Sequence, residues 1–323
     1  MKKRVELIFI LAIISIVLAA CGGKGNSVSS DKAELDKGEV EESIETRVID
    51  TVMGEVVIPA NPKRIVAAGY LGDLLALGVK PVGAPEFHME NPFLTELVGG
   101  IEDIGNEISL EKTLALEPDL IITSIDEDYD NFSKIAPTVV IHPDSMNTYA
   151  DELRIIGDIV GKKQEAEEWI TSFEEEAAEA REQLSHVIKA DETVGIYILT
   201  DKDFYVLGDG LGRGGQAIYN ALKLTPPPLV KSEIIDSGEA YKEVSLEVLP
   251  DYAADHIFLS VELEDENQET TDTLLNRELW KGLSAVKNDQ VYQIPKDKFY
   301  HYDPLSIKGQ MEIIVKMLLS RNK

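Results

Sequence analysis

Cysteine is all but missing from this chain. Among 323 residues only Cys21 carries a thiol. One cysteine excludes an intrachain disulfide and a Cys-based zinc cluster. Histidine is nearly as scarce: five, scattered along the chain, offer no obvious metal cage. Positive charge is short, with 31 Lys+Arg against 59 Asp+Glu and a net charge of −28. A general nucleic-acid binder needs a basic surface, so that class is excluded. No G-x-S-x-G elbow and no H-E-x-x-H helix occurs, which argues against a secreted hydrolase. What is present is 44% hydrophobic residues, enough for a real core and too many for wholesale disorder. The length suits one large or two ordinary domains.

The N-terminus is the first feature with content. Lys2, Lys3 and Arg4 precede an apolar run from Leu7 to Ala20 that only Ser15 interrupts. A basic segment followed by a short apolar one is a secretory signal, and the run falls short of the ~20 residues a spanning helix needs. It ends Leu18-Ala19-Ala20-Cys21-Gly22. Small residues followed at once by the only cysteine resemble the lipobox of bacterial lipoproteins. There the thiol is acylated and cleavage leaves it as the first residue. Residues 1–20 are therefore expected to be a lipoprotein signal peptide. Its removal takes away three basic residues and one acidic residue, leaving 28 against 58 and a net charge of −30. Residues 21–45 are Gly- and Ser-rich, then charged, and read as the acylated cysteine and a flexible tether. The expected location is the extracytoplasmic face of the cell membrane, held by the lipid on Cys21.

From about residue 46 the pattern is globular. Apolar strand-like runs at 64–68, 81–84, 119–124 and 138–141 alternate with helical stretches at 71–77 and 109–116. Such alternation implies βαβ units and a largely parallel sheet. Residues 164–188 differ. Ile170, Phe173, Ala177, Ala180, Leu184 and Val187 recur at spacings of 3 and 4, opposite a Glu-rich face. That is one helix of about 25 residues, near 37 Å at about 1.5 Å per residue, long enough to cross between lobes. Beyond it the strand pattern resumes at 194–199, 204–207, 256–261 and 290–294, and 304–319 reads as a terminal helix. SLEKTLALEPDLIITS at 109–124 is echoed by SLEVLPDYAADHIFLS at 245–260, one on each side of the long helix. The expected fold is α/β: two lobes with mainly parallel sheets joined by one long rigid helix. The expected divisions are an N-terminal lobe at 46–163, a linking helix at 164–189 and a C-terminal lobe at 190–323. The cleft between such lobes is a preferred ligand site.

Here a family resemblance appears. Leu18-Ala-Ala-Cys21, Pro62-Lys-Arg-Ile-Val66, Glu117-Pro-Asp-Leu-Ile-Ile122, Ala136-Pro-Thr-Val-Val140, Gly212-Arg-Gly-Gly215 and Tyr302-Asp-Pro304 follow one another in order. The set resembles the substrate-binding lipoproteins of ferric-siderophore ABC importers, the iron-hydroxamate type of Gram-positive bacteria. It covers essentially all of residues 45–323. The resemblance implies a class III periplasmic-binding-protein-like architecture with limited closure, a receptor rather than an enzyme, and a monomer. Its implied partners are a ferric siderophore and an ABC permease dimer with its ATPase.

Gly210-Leu-Gly-Arg-Gly-Gly215 formally matches the dinucleotide fingerprint G-x-G-x-x-G. It sits two-thirds along the chain, and the expected location is one where dinucleotides are scarce. The glycines instead allow a tight turn that presents Arg213 at a strand end, where ligand sites of α/β folds lie. Iron in a siderophore is already fully coordinated. The protein then needs no metal ligand and no cofactor, only a planar donor for anionic oxygens and aromatic walls for the organic frame. By resemblance Arg213 is that donor. Where Trp often precedes the family's Gly-Arg-Gly, Leu211 stands here. The resemblance also implies aromatic contacts from Phe299, Tyr300, His301 and Tyr302, His301 standing where a Tyr is common, and from Tyr205. Tyr70 and the Phe87-His88 pair, in loops after the two opening strands, are nominated from the first lobe. Glu111 and Glu247, the third residue of each Ser-Leu-Glu, are implied to dock the permease dimer. A glutamate near a helix start also complements the helix dipole, so the same residues have a purely structural reading.

An acidic protein with only Lys202, Lys296 and Lys298 near these loops suits a neutral or cationic ferric hydroxamate. Ferric citrate, a catecholate siderophore, haem and cobalamin stand as alternatives. A free-metal receptor would need more ligands than His88 and His301 provide.

Overall fold

The computed structural model describes residues 45–143, 146, 148–200, 204–210, 212–262, 273 and 275–321. The expectations for the signal segment, the tether, Cys21, Lys202 and Leu211 lie outside the described residues.

An antiparallel hairpin opens the described chain, β1 (Thr46–Thr51) and β2 (Gly54–Pro59), turning at Gly54 with φ of 103°. Val56 and Ile58 anchor it on the first core, whereas Val48 and Val57 face outward. The first five-stranded sheet follows: β3 (Ile65–Ala67), β4 (Gly83–Ala84), β5 (Glu102–Asp103), β6 (Leu120–Thr123) and β7 (Thr138–Val140). Its order is β5-β4-β3-β6-β7, parallel throughout. β3, β6 and β7 are buried at every position, which is why they read as unbroken apolar runs.

The second sheet comprises β8 (Val194–Leu199), β9 (Phe204–Leu207), β10 (Tyr241–Val244), β11 (His256–Val261) and β12 (Val291–Gln293), in the order β10-β9-β8-β11-β12. β8, β11 and β12 run parallel, while β9 and β10 are added antiparallel. Six of the eight pairings in the two sheets are therefore parallel. The two Ser-Leu-Glu echoes lead into β6 and β11, each the fourth strand of its sheet. The echo is thus a repeat of position as well as of sequence.

The long helix spans Lys163–Leu184, about 33 Å at about 1.5 Å per residue. Ala166 and Ile170 belong to the first core, and Phe173, Ala177, Ala180 and Leu184 to the second. It stops five residues before the expected 189. The apolar period runs on through Val187 and the buried Ile188, but as a turn packed on the same core, so periodicity did not mark the end. The C-terminal helix Pro304–Arg321 is a second tie. Ile307, Met311, Ile314 and Leu318 pack in the second core, and Leu305 packs against the first. A Cβ at Gly309 would collide with the Phe93 ring, so glycine lets that helix lie close to the first lobe without displacing Phe93. Lys308 Nζ bridges to Glu176 Oε1 at 2.6 Å, joining the two long helices.

Candidate functional site

The carboxyl ends of the strands in both sheets open on one cavity of about 670 Å³. That is the place and the size expected of a small-molecule site in an α/β protein. Tyr70 follows β3, Phe87 and His88 follow β4, and Glu262 follows β11. Tyr205 and Tyr241 project from the antiparallel β9 and β10, with ring centroids 5.5 Å apart.

The turn after β9 is built for Arg213. Arg213 itself has φ of 68° and Gly214 has φ of 93°. A Cβ on Gly212 would collide with the Tyr300 carbonyl, and one on Gly215 with the Gly208 carbonyl. The backbone N–H of Arg213 donates to Phe299 O at 2.5 Å, fastening the turn to the loop before the C-terminal helix. A left-handed arginine held in place by its surroundings is the kind of local strain found at ligand sites. Gln216–Ala221, directly after it, winds as a wide π-type helix.

The guanidinium of Arg213 lies 4.4 Å from the centroid of the Tyr300 ring. Its Nη2 pairs with Glu262 Oε2 at 3.0 Å, and both side chains are only 16% exposed. Glu262 is held in turn by Ser260 Oγ, which donates to Oε1 at 3.0 Å. Arg213 Nε is buried and has no hydrogen-bond partner among the described residues.

Aromatic rings from both lobes meet beside the arginine. Phe87 stands edge-on to Tyr300 with centroids 5.4 Å apart, and lies 5.8 Å from the His301 ring. Phe87 and Tyr300 are 40% and 45% exposed, unusual for large apolar rings inside a cleft and available for a ligand to cover. Burial lowers the pKa of His88, with His301 adding, and burial followed by the Arg213 charge lowers that of His301. Both imidazoles are therefore neutral at neutral pH.

A second group of side chains forms the floor. Asp73, Glu152 and Asp303 are 1%, 3% and 7% exposed and all line the cavity. Burial pushes Asp73 well above the carboxylate range, with the charges of Glu152 and Asp303 adding to it. Burial likewise pushes Glu152 up to about 8. Glu152 therefore holds its proton at neutral pH. Asp303 is raised by burial but opposed by its donors: Ser306 Oγ at 2.5 Å, Ser306 N at 3.0 Å and Asn91 Nδ2 at 2.9 Å. Asp73 Oδ1 has no hydrogen-bond partner among the described residues. Among the described residues, no group of three or more His, Cys, Asp or Glu side chains is arranged to hold a metal ion.

Tyr70, Phe87, His88, Tyr205, Arg213, Tyr300, His301 and Tyr302 all line the cavity. Phe299 does not, and its expected place among the aromatic walls is corrected. It is fully buried in the second core, its ring beneath Gly214, because the short helix Lys296–Phe299 turns it inward. Lys296 and Lys298 are exposed and outside the cavity. Glu111 and Glu247 lie on the surface. Glu111 is in the first turn of helix Leu110–Ala115, capped by Ser109, whose Oγ accepts from Lys112 N at 3.3 Å. Glu247 lies in a turn before a short 3-10 segment, so the dipole reading has no helix to act on there.

Sequence reasoning missed Glu262, Asp73, Glu152, Asp303 and Tyr241 as site residues. Two carried a signal. Asp73 interrupts the apolar run of helix Leu71–Ala76, and Glu152 falls on the buried face of helix Tyr149–Ile159 with Tyr149, Leu153 and Ile156.

Two α/β lobes tied by a long helix, with a ligand cavity at facing strand ends, define a binding protein of transport rather than an enzyme. Comparison with known proteins agrees, and the chain belongs to the periplasmic binding protein family, whose profile matches residues 65–298. It is 39% identical to the iron(3+)-hydroxamate-binding protein YxeB of Bacillus subtilis, over 99% of this chain and 98% of that one. A crystal structure of a FhuD fold-family binding protein of a ferrichrome ABC transporter from Bacillus subtilis matches with a TM-score of 0.75. Its identity is 36%, covering 84% of this chain and 99% of that one. FhuD2 of Staphylococcus aureus with bound ferrioxamine B matches with a TM-score of 0.70 and 28% identity, over 81% of this chain and all of that one.

Proposed function

We propose that this protein captures a ferric hydroxamate siderophore in the cavity between its lobes and delivers it to an ABC permease driven by an ATPase. The observation that carries this is Arg213, stacked on Tyr300, whose ring meets Phe87, which in turn meets His301, in one aromatic cluster. A siderophore saturates its iron with its own oxygens. The protein's task is then to donate hydrogen bonds to those oxygens and cover the organic frame. Arg213 is the donor, and Tyr70, Phe87, His88, Tyr205, Tyr300, His301 and Tyr302 are the walls, to which Tyr241 is added. The names of the relatives, one binding iron(3+)-hydroxamate and one holding ferrioxamine B, support the ligand class.

Glu111 and Glu247 are the docking residues. Each is exposed and each precedes the fourth strand of its sheet. Exposed apolar side chains flank both, Leu110 and Leu114 at one and Val248 at the other. Two equivalent patches with a carboxylate in each suit a two-fold symmetric partner. The lobes act as a monomer on a tether at residues 21–45, anchored outside the membrane by the acylated Cys21.

The test is intrinsic fluorescence of the chain from residue 22, which contains Trp169 and Trp280. It is titrated with ferrioxamine B, ferrichrome, a ferric catecholate, ferric citrate and haemin. Saturable quenching by a hydroxamate at or below about micromolar, near −8 kcal/mol, is the expected result. A response to the catecholate or citrate alone overturns the ligand class.

A further inference from the structure

The cavity has a charge balance that the ligand must match. Its described lining holds one Lys or Arg side chain, Arg213, and that charge is already met by Glu262 at 3.0 Å. The remaining lining acids are Asp73, Glu152 and Asp303, and the two histidines are neutral. No described wall offers a positive charge without a counter-charge.

From this we infer that Glu262 is a specificity-determining residue, which balances Arg213 so that the cavity accepts neutral or cationic ferric complexes and rejects polyanionic ones. This rests on the proposed function and adds to it the charge class of the ligand and the residue that sets it. Glu262 is placed for that role. Its backbone N–H donates to Leu199 O at 2.8 Å, which fixes it beyond β11, and Ser260 fixes its carboxylate. An incoming neutral complex shares the guanidinium with Glu262 across polarised iron-bound oxygens. A complex carrying several negative charges would meet that carboxylate with no unbalanced cation to offset it. Like-charge juxtaposition of this kind selects by penalty as well as by attraction. Removing the carboxylate leaves a buried guanidinium lacking its partner, a strong site for an anion.

The experiment compares wild type with Glu262→Gln for ferrioxamine B, which is cationic, ferrichrome, which is neutral, and a ferric tris-catecholate, which carries three negative charges. Affinities come from fluorescence quenching, with thermal unfolding run in parallel to establish that the variant folds. In the variant the preference for the hydroxamates over the tris-catecholate is expected to fall by about tenfold or more, through a gain in catecholate affinity. An equal change for all three complexes in a folded variant overturns the inference, because Glu262 would then only orient Arg213. Unchanged affinities overturn it as well. Wild type that binds none of the three overturns the function reading itself, and the inference with it.

Discussion

Asn91 and Asp303 are 212 positions apart in the chain, yet the amide of one donates to the carboxylate of the other at 2.9 Å, and both are buried. Asn91 also donates to Ser306 Oγ at 2.8 Å, and its own carbonyl accepts from Phe93 N at 3.0 Å. The amide therefore has one orientation. This junction fastens the start of the C-terminal helix to the first lobe at the floor of the cavity. The lobes are joined there as well as through the linking helix, which fits a cleft whose width changes little on binding.

Arg213→Ala is expected to weaken ferric hydroxamate binding at least about tenfold. It removes a charge-assisted donor worth about 1.5–3 kcal/mol and also strips Tyr300 of its cation. Quenching titrations read this directly, and unchanged affinity would remove Arg213 from the site.

The double substitution Glu111→Ala with Glu247→Ala is expected to leave ligand affinity intact and stop uptake. Both carboxylates are exposed and distinct from the cavity lining. Cells carrying the double variant as their only copy should fail to accumulate iron-55 from the ferric siderophore. Normal accumulation would refute the docking role.

Glu152 gives a pH prediction with a definite sign. Its folded-state value is raised from 4.5 to about 8, chiefly by burial. Between those values the folded protein holds a proton that the unfolded chain has released. Its contribution to stability is thus fully present below about 4.5 and is lost as pH rises through about 8. Glu152→Gln has no proton to lose. Its melting temperature relative to wild type should therefore climb steadily from pH 5 to pH 8.5. A difference that stays constant with pH would mean that Glu152 does not titrate in this window.

Gly72→Ala tests the close approach at the floor. A Cβ there would lie within the Asp303 carboxyl group, which has little room to move given its bonds to Asn91 and Ser306. Overpacking of this kind costs about 1–3 kcal/mol. The urea midpoint should fall accordingly, and an unshifted midpoint would show that the floor yields.

Much of this was legible in sequence, and the physical reasons are specific. β3, β6, β8 and β11 are buried on both faces, so their apolar runs stand out. Arg213 sits among glycines that the turn requires, and the aromatic cluster at 299–302 marks its loop. A dense aromatic run does not say which ring faces inward, and that is how Phe299 was misplaced. β1 and β10 expose much of their side-chain surface and carry no apolar run, and the apolar run of β2 is only Val56-Val57-Ile58, with Val57 facing outward. Glu262 and Asp303 were hardest to find. An acid's role in the cavity depends on partners far along the chain, such as Arg213 for the one and Asn91 for the other, and no local pattern reports such a pairing.

The helix Lys163–Leu184 begins in one core and ends in the other, and this bears on how the chain reaches its fold. An isolated helix gains little from its own hydrogen bonds and is stabilised mainly by packing. Neither core buries the whole apolar stripe, so either lobe alone leaves part of it wet. The lobes therefore consolidate each other, and heating should dismantle them in a single cooperative event rather than one after the other.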